Sequence, residues 1–280
     1  MLSQFDQRLM ALQTPRGAPW WKTFAAEFWF FGLKEIRACL FVVLFFLAVF
    51  AVPRGGLLGV PRYDLLLIIA LGIQAWMVWT GLETWDEFKA IGVFHIVGFA
   101  LEAFKVSGGI KSWSYPDPAY TKVFGVPLFA GFMYASVGSY IIQAWRLFDL
   151  QIRHHPPHWM AALIACLIYA NFFTHHYVGD YRWYLAAALL GLYARSTVIF
   201  HPMSTPRQMP LILSFILIGF FIWLAENIST FFGIWKYPNQ LGAWATVSLG
   251  KWSSWSLLVV MTFTIVANLK HIKSKIHVPE

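Results

Sequence analysis

Eight apolar stretches follow one another along this 280-residue chain, at 36–53, 64–82, 90–107, 126–146, 158–174, 183–200, 209–231 and 247–269. Several reach the roughly 20 residues that a helix needs to cross hydrocarbon. Charged residues make up 12% of the chain and hydrophobic ones 59%, whereas a soluble domain carries about twice that charged share. An open sheet cannot satisfy its backbone groups in lipid, so the pattern predicts an all-α, polytopic transmembrane helical bundle. The fifth and sixth stretches are short or interrupted, which gives about eight spans with seven as the alternative.

The net charge of +8 follows from the distribution expected of a membrane protein and does not imply a nucleic-acid partner. With the N-terminus inside, Arg8, Arg16, Lys22, Lys34, Arg37, Lys89, Arg146, Arg153, Arg195, Arg207, Lys270, Lys273 and Lys275 lie on one side. Arg54, Arg62, Lys105, Lys111, Lys122, Arg182 and Lys236 lie on the other, and Lys251 falls inside the last span. This excess predicts that both termini are cytoplasmic. The polar opening around Ser3–Arg8 does not read as a cleaved signal. Residues 20–36, with Trp20, Trp21, Phe24, Phe28 and Trp29 among Lys22, Glu27 and Lys34, read as an amphipathic helix at the interface. Cys39 and Cys166 fall in apolar stretches and read as small buried hydrophobes.

One pattern occurs twice. Glu102 is followed by Gly108 and Trp113-Ser114-Tyr115-Pro116, and Glu226 by Gly233 and Trp235-Lys236-Tyr237-Pro238. Each copy joins the third apolar stretch of a half to the fourth. Pro156-Pro157 separates the halves, giving an interfacial segment at 1–35, four-span repeats at 36–152 and 153–270, and a cytoplasmic tail at 271–280. Even-numbered halves make the repeats parallel and bring both turns to the outer face.

Carboxylates are costly inside lipid, by roughly 2.5 kcal/mol or more, and usually mark a function. Glu102 and Glu226 are therefore the leading catalytic candidates, as acids that hold a proton in a low-dielectric pocket. The structural alternative is a pair of ion pairs, Glu102 with Lys105 and Glu226 with Lys251. Asn171 and His175 stand at i,i+4 beside Thr174 and join the catalytic candidates. His95, Gly98 and Glu102 share one helical stripe, with Gly98 suited to a close crossing. Trp113, Tyr115, Trp235, Tyr237, Asn227, Lys251 and His95 are the candidate ligand-binding residues, and Trp244, Trp252 and Trp255 gather nearby. No metal box is present, no cofactor is implied, and His154-His155-Pro156-Pro157-His158 reads as a solvated loop. The inner ends offer no comparable polar collection. Gln74, His95 and Gln143 are the only hints of a route to that side.

The segments Phe94–Gly98, Trp113–Pro116, Gly125–Phe129, Gly131–Tyr134, Tyr169–His176 and Ala225–Asn227 resemble the YoaT-like family of uncharacterised bacterial membrane proteins (domain of unknown function 817) over nearly the whole chain. That resemblance implies the bacterial cytoplasmic membrane and no established activity. Glu102, Tyr115 and Gly125-Val126-Pro127-Leu128 are also similar to carotenoid hydratases and lycopene-cyclase domains, although the hydratases' Pro-Phe-Gly stretch is missing. The expected partners are the bilayer and an apolar small-molecule or lipid ligand. Three functions remain open: an enzyme that protonates a polyprenoid or carotenoid-like alkene, a proton-coupled carrier, and a non-catalytic scaffold.

Overall fold

The computed structural model describes residues 4–15 and 17–276. Arg16 and residues 277–280 of the expected tail lie outside them. The chain is mostly helical: α1 (Gln4–Met10), α2 (Trp20–Ala38), α3 (Leu40–Ala51), α4 (Arg62–Trp79), α5 (Trp85–Val106), α6 (Ala130–Leu147), α7 (His158–Thr174), α8 (Arg182–Tyr193), α9 (Leu211–Phe231) and α10 (Gly250–Ile276). The all-α expectation is corrected by two small antiparallel sheets. One is a hairpin of β1 (Lys122–Val123) and β2 (Val126–Pro127), and the other has the order β3 (Gln151–Arg153), β4 (Thr197–Phe200), β5 (Arg207–Pro210). Phe124 and Gly125 both take positive φ, 53° and 79°, in the two-residue hairpin turn, the conformation that matches strand twist.

Every predicted apolar stretch carries a helix, but not always a full span. The first stretch straddles a break at Cys39, and the sixth divides into α8 and β4. Helices α3 and α8 have 12 residues each, about 18 Å of rise against a hydrocarbon core of about 30 Å. Among the described residues, three helices are long and apolar enough to cross a membrane: Arg62–Trp79, Leu211–Phe231 and Gly250–His271.

The most extensive packing joins α5 to α6 and α9 to α10, and glycines set both crossings. A Cβ on Gly98 would stand 2.4 Å from Tyr134, one on Gly138 2.2 Å from Phe94, and one on Gly219 2.3 Å from the Ser256 hydroxyl. The expected close crossing at Gly98 is thus present, with the Tyr134 ring filling the gap. One apolar core spans α5–α10, and another joins α3, α4 and α6 to the Trp-x-Tyr-Pro turns.

The N-terminal amphipathic helix faces the opposite way from a helix floating on a surface. Trp20, Phe24, Phe28 and Trp29 are exposed, while Glu27, Lys34 and Arg37 are buried. Arg207 forms a bidentate pair with Glu27 at 2.9 and 3.0 Å, and the Lys34 ammonium donates to the His201 carbonyl at 2.7 Å.

The end of the bundle opposite the Trp-x-Tyr-Pro turns is polar as well, which corrects the expectation that polar groups collect at one end only. Arg37 donates to both oxygens of Asp6 at 2.8 and 2.9 Å, and Arg146 donates to Glu87 at 2.6 and 2.8 Å. Both arginines also reach the Leu82 carbonyl, at 3.0 and 2.8 Å. Glu83 accepts from Ser139 at 2.5 Å and from Gln74. The network was hard to foresee because its members come from five separated segments, each with one or two polar residues.

Candidate functional site

Proline builds the two repeated turns. It biases the residue before it to an extended backbone, and in an extended segment alternate side chains share a face. Trp and Tyr of each Trp-x-Tyr-Pro therefore project together, leaving the middle residue's backbone free to pair. Ser114 and Lys236 exchange both backbone hydrogen bonds, each 2.9 Å. The aromatic rings meet crosswise, Trp113 on Tyr237 at 6.0 Å and Tyr115 on Trp235 at 6.5 Å. Gly233, at φ +70°, turns the chain out of α9 into the second copy.

Elements at the α4 start hold the turns in place. Asp64 accepts from the Tyr120 and Thr121 amides and the Thr121 hydroxyl at 2.6–2.9 Å. The Lys122 ammonium donates to the carbonyls of Tyr115 and Asp117. On the other copy, Arg62 and Tyr63 donate to the Phe232 and Ile234 carbonyls at 2.9 and 2.7 Å. Burial lowers the Lys122 ammonium and raises the Asp117 carboxyl from their ordinary values.

Both glutamates lie beneath the paired turns, 3% exposed. Glu102 accepts three hydrogen bonds of 2.8 Å, from the Trp113 indole, the Tyr115 hydroxyl and, across the helix interface, the Tyr134 hydroxyl. Glu226 accepts two, from the Tyr237 hydroxyl at 2.5 Å and the Trp255 indole at 2.8 Å. Burial, then the neighbouring glutamate, pushes the phenols of Tyr115 and Tyr237 well above the ordinary tyrosine range, so both remain donors. Tyr134 and Trp255 touch at 6.2 Å, linking the two carboxylate clusters.

The expected ion pairs are absent among the described residues. Lys251 lies over the Tyr237 and Trp113 rings at 4.7 and 5.2 Å, in cation–π geometry. Lys105 turns away from Glu102 to His176 Nε2 at 2.8 Å and His175 Nε2 at 3.4 Å. Aromatic donors take up the hydrogen bonding of each carboxylate in place of the lysines.

The remaining candidates divide. Asn171 is a loop anchor: its amide donates to Asp180 at 3.2 Å and its oxygen accepts from the Tyr181 amide at 3.1 Å. His175 bonds back to the Asn171 carbonyl at 2.8 Å. Asn227 likewise fastens the loop after the second turn, accepting from the Val247 amide at 2.9 Å. His95 sits two turns below Glu102, edge-on to Phe132 at 4.7 Å and over Gly131. His155 and His158 depart from the expected solvated loop. They are half-buried and stacked on one another, with His271 beyond His158.

A cavity of about 750 Å³ opens beside this site, walled by α2, α3, α6, α9 and α10 and almost wholly apolar. Phe28, Leu217 and Phe221 line it and are exposed on the outer surface of the bundle, so it opens sideways. Glu226, Trp235 and Trp255 line it at the end near the turns, whereas Glu102 does not. Glu35, hydrogen-bonded to Tyr140, lines it near the opposite end. Sequence reasoning missed Tyr134, Glu35 and Tyr140. Tyr134 shares no fixed spacing with Glu102, and Glu35 looked like one more charge on an interfacial face.

The family described as "Protein of unknown function (DUF817)" matches residues 27–263. "Uncharacterized protein YoaT" of Bacillus subtilis (strain 168) is 50% identical over 245 residues, covering 88% of this chain and 92% of that protein. No solved structure matches.

Proposed function

This chain belongs to the DUF817 family, and we propose that it is a multi-pass bacterial cytoplasmic-membrane enzyme that protonates an alkene of an apolar, polyprenoid-like lipid. The observation that carries this reading is the difference between the two glutamates. Glu226 borders the sideways-opening cavity, and Glu102 is enclosed by three donors away from it. A cavity of about 300–1,000 Å³ lined by apolar and aromatic groups with a few polar ones suits a small lipid or a lipid segment.

In the proposed step the Glu226 O–H bond breaks and its proton joins one alkene carbon, using the π electrons. The positive charge left on the neighbouring carbon faces the Trp235 and Trp255 rings, whose quadrupoles stabilise it. Loss of a proton from an adjacent carbon to Glu226 completes an isomerisation. Addition of water, followed by return of its proton to Glu226, completes a hydration. Glu102 acts as a positioning carboxylate that holds Trp113 and Tyr115, and through Tyr134 steadies Trp255.

The matching order of glutamate-bearing helix, aromatic turn and following helix supports two related halves, and the crosswise pairing of the turns supports a two-fold relation between them. Lipid extracts from cells with the wild-type protein, without it, and with Glu226→Gln test the activity by mass spectrometry. The expected result is a lipid product that disappears in Glu226→Gln at unchanged protein abundance. An identical lipid profile in all three would sink the enzyme reading.

A specific observation also favours a second reading, a proton-coupled carrier. One apolar cavity has Glu226 near one end and Glu35 near the other, as alternating access to a lipid would need. Proteoliposomes separate the two: a carrier moves lipid between leaflets faster under a proton gradient and loses that response in both Glu35→Gln and Glu226→Gln.

A further inference from the structure

Lys105 poses a problem that the carboxylate site does not solve. It is 5% exposed, and among the described residues no carboxylate lies within ion-pair distance of its ammonium. Its contacts are two imidazole nitrogens. Burying an ammonium without a counter-charge is costly, so the surroundings of Lys105 call for an anion.

Tracing the contacts outward gives a closed ring. The Lys105 carbonyl accepts from the Ser112 amide at 2.9 Å, and the next residue, Trp113, carries the Lys251 ammonium on its ring. The carbonyl of Gly250, one residue before Lys251, accepts from Arg182 at 3.2 Å. Arg182 pairs with Asp180 at 2.8 Å, Asp180 accepts from Asn171, and the Asn171 carbonyl contacts His175, which returns to Lys105. Three basic side chains thus surround one carboxylate, already engaged by Arg182, Asn171 and the Arg182 amide. The ring is open to its surroundings at His176 and Arg182.

We propose that the basic cluster of Lys105, His175, His176, Arg182 and Lys251 is an anion site that takes a phosphoryl group. Arg182 and Lys105 suit the charge of phosphate, and His175 and His176 present nitrogens that can donate once protonated. Partial burial, and then the Lys105 ammonium, holds His176 down to about 4 in the unliganded protein, as a cluster short of negative charge would. The shared chemistry is a phosphate oxygen array, carried either by a soluble phosphate or by the headgroup of an anionic lipid.

The test uses the full-length protein in nanodiscs, with thermal unfolding as the readout. Discs of phosphatidylcholine alone receive pyrophosphate at constant ionic strength, and a second set contains phosphatidylglycerol. Saturable stabilisation by pyrophosphate in the first set assigns a soluble ligand. Stabilisation only in the second set assigns a lipid headgroup. In either case Lys105→Gln and Arg182→Gln should each weaken binding about tenfold or more, while leaving the unliganded melting temperature of Lys105→Gln unchanged or higher, since no carboxylate loses a partner. Should Lys105→Gln fail to fold, Arg182→Gln carries the affinity comparison alone. No stabilisation by either ligand, or stabilisation that survives in the folded variants, overturns the proposal.

Discussion

Glu102 and Glu226 have the same residue type, the same burial and matching aromatic turns, yet their surroundings predict opposite responses to the same substitution. Glutamine at 102 would turn an amide N–H₂ toward at least one of three donors, stranding a buried polar group at a cost of about 1–3 kcal/mol. Glu102→Gln is therefore expected to lower the melting temperature, and Tyr134→Phe to lower it less. Glu226→Gln has two donors to satisfy and a cavity on its open side, so its melting temperature should stay near wild type. Equal losses for the two variants would contradict the assignment of separate roles. Both carboxylates and their turns were legible in the sequence, because the costly residue and the aromatic motif recur together. Their true partners were not. Tyr134 and Trp255 reach across from the following helix, and no spacing along the chain announces that contact. The sequence also suggested lysine counter-ions, which the aromatic donors displace.

At the level of elements, the apolar stretches located the helices, and the glycines now explain how two of them meet. A methyl group at Gly98 would enter the Tyr134 ring at 2.4 Å, forcing α5 from α6 and disturbing the hydroxyl that reaches Glu102. Gly98→Ala should therefore cost about 1–3 kcal/mol through overpacking. Gly92, on the same helix with nothing within 4 Å of an added Cβ, is the control, and alanine there should be neutral or slightly stabilising because it favours helix. Chemical unfolding of both variants checks the contrast. Helix boundaries were less legible than helix positions. The break at Cys39 lies inside an unbroken apolar run, and the strand after α8 continues its hydrophobicity, so composition marks neither change. The facing of α2 was not legible for a related reason: amphipathic periodicity gives two faces and does not say which one the protein covers.

For the whole molecule, the two polar ends are the informative feature. Lys89 near the start of α5 and Tyr120 beyond its end are both exposed. In a background lacking exposed Cys166, Tyr120→Cys should react with an impermeant thiol reagent on intact cells, and Lys89→Cys only after the membrane is opened. Reaction of both from the same side would defeat a crossing by α5. The network around Glu83 predicts a pH response. Burial, with the Glu87 charge adding to it, raises this carboxyl above its ordinary value despite the bonds from Ser139 and Gln74. The folded protein therefore keeps a proton that the unfolded chain releases at lower pH. The resulting stabilisation is complete below the ordinary carboxylate range and is lost as pH rises through the folded value. As pH rises above the ordinary carboxylate range, thermal unfolding should show a downward slope that Glu83→Gln makes shallower.

The inward charges of α2 also carry a consequence in time. Arg37 finds Asp6 31 residues away, so that pair can close as soon as both have been made. Lys34 waits for His201, 167 residues later, and Glu27 for Arg207, 180 residues later. At synthesis rates of about 5–20 residues per second, that delay is roughly 10–35 seconds. Throughout it the first long helix to leave the ribosome carries a carboxylate and an ammonium whose native hydrogen-bond partners are still unmade. Its exposed tryptophans and phenylalanines can hold it at a lipid surface meanwhile, and the last hairpin of the chain to be translated before α9 is what draws it into the bundle.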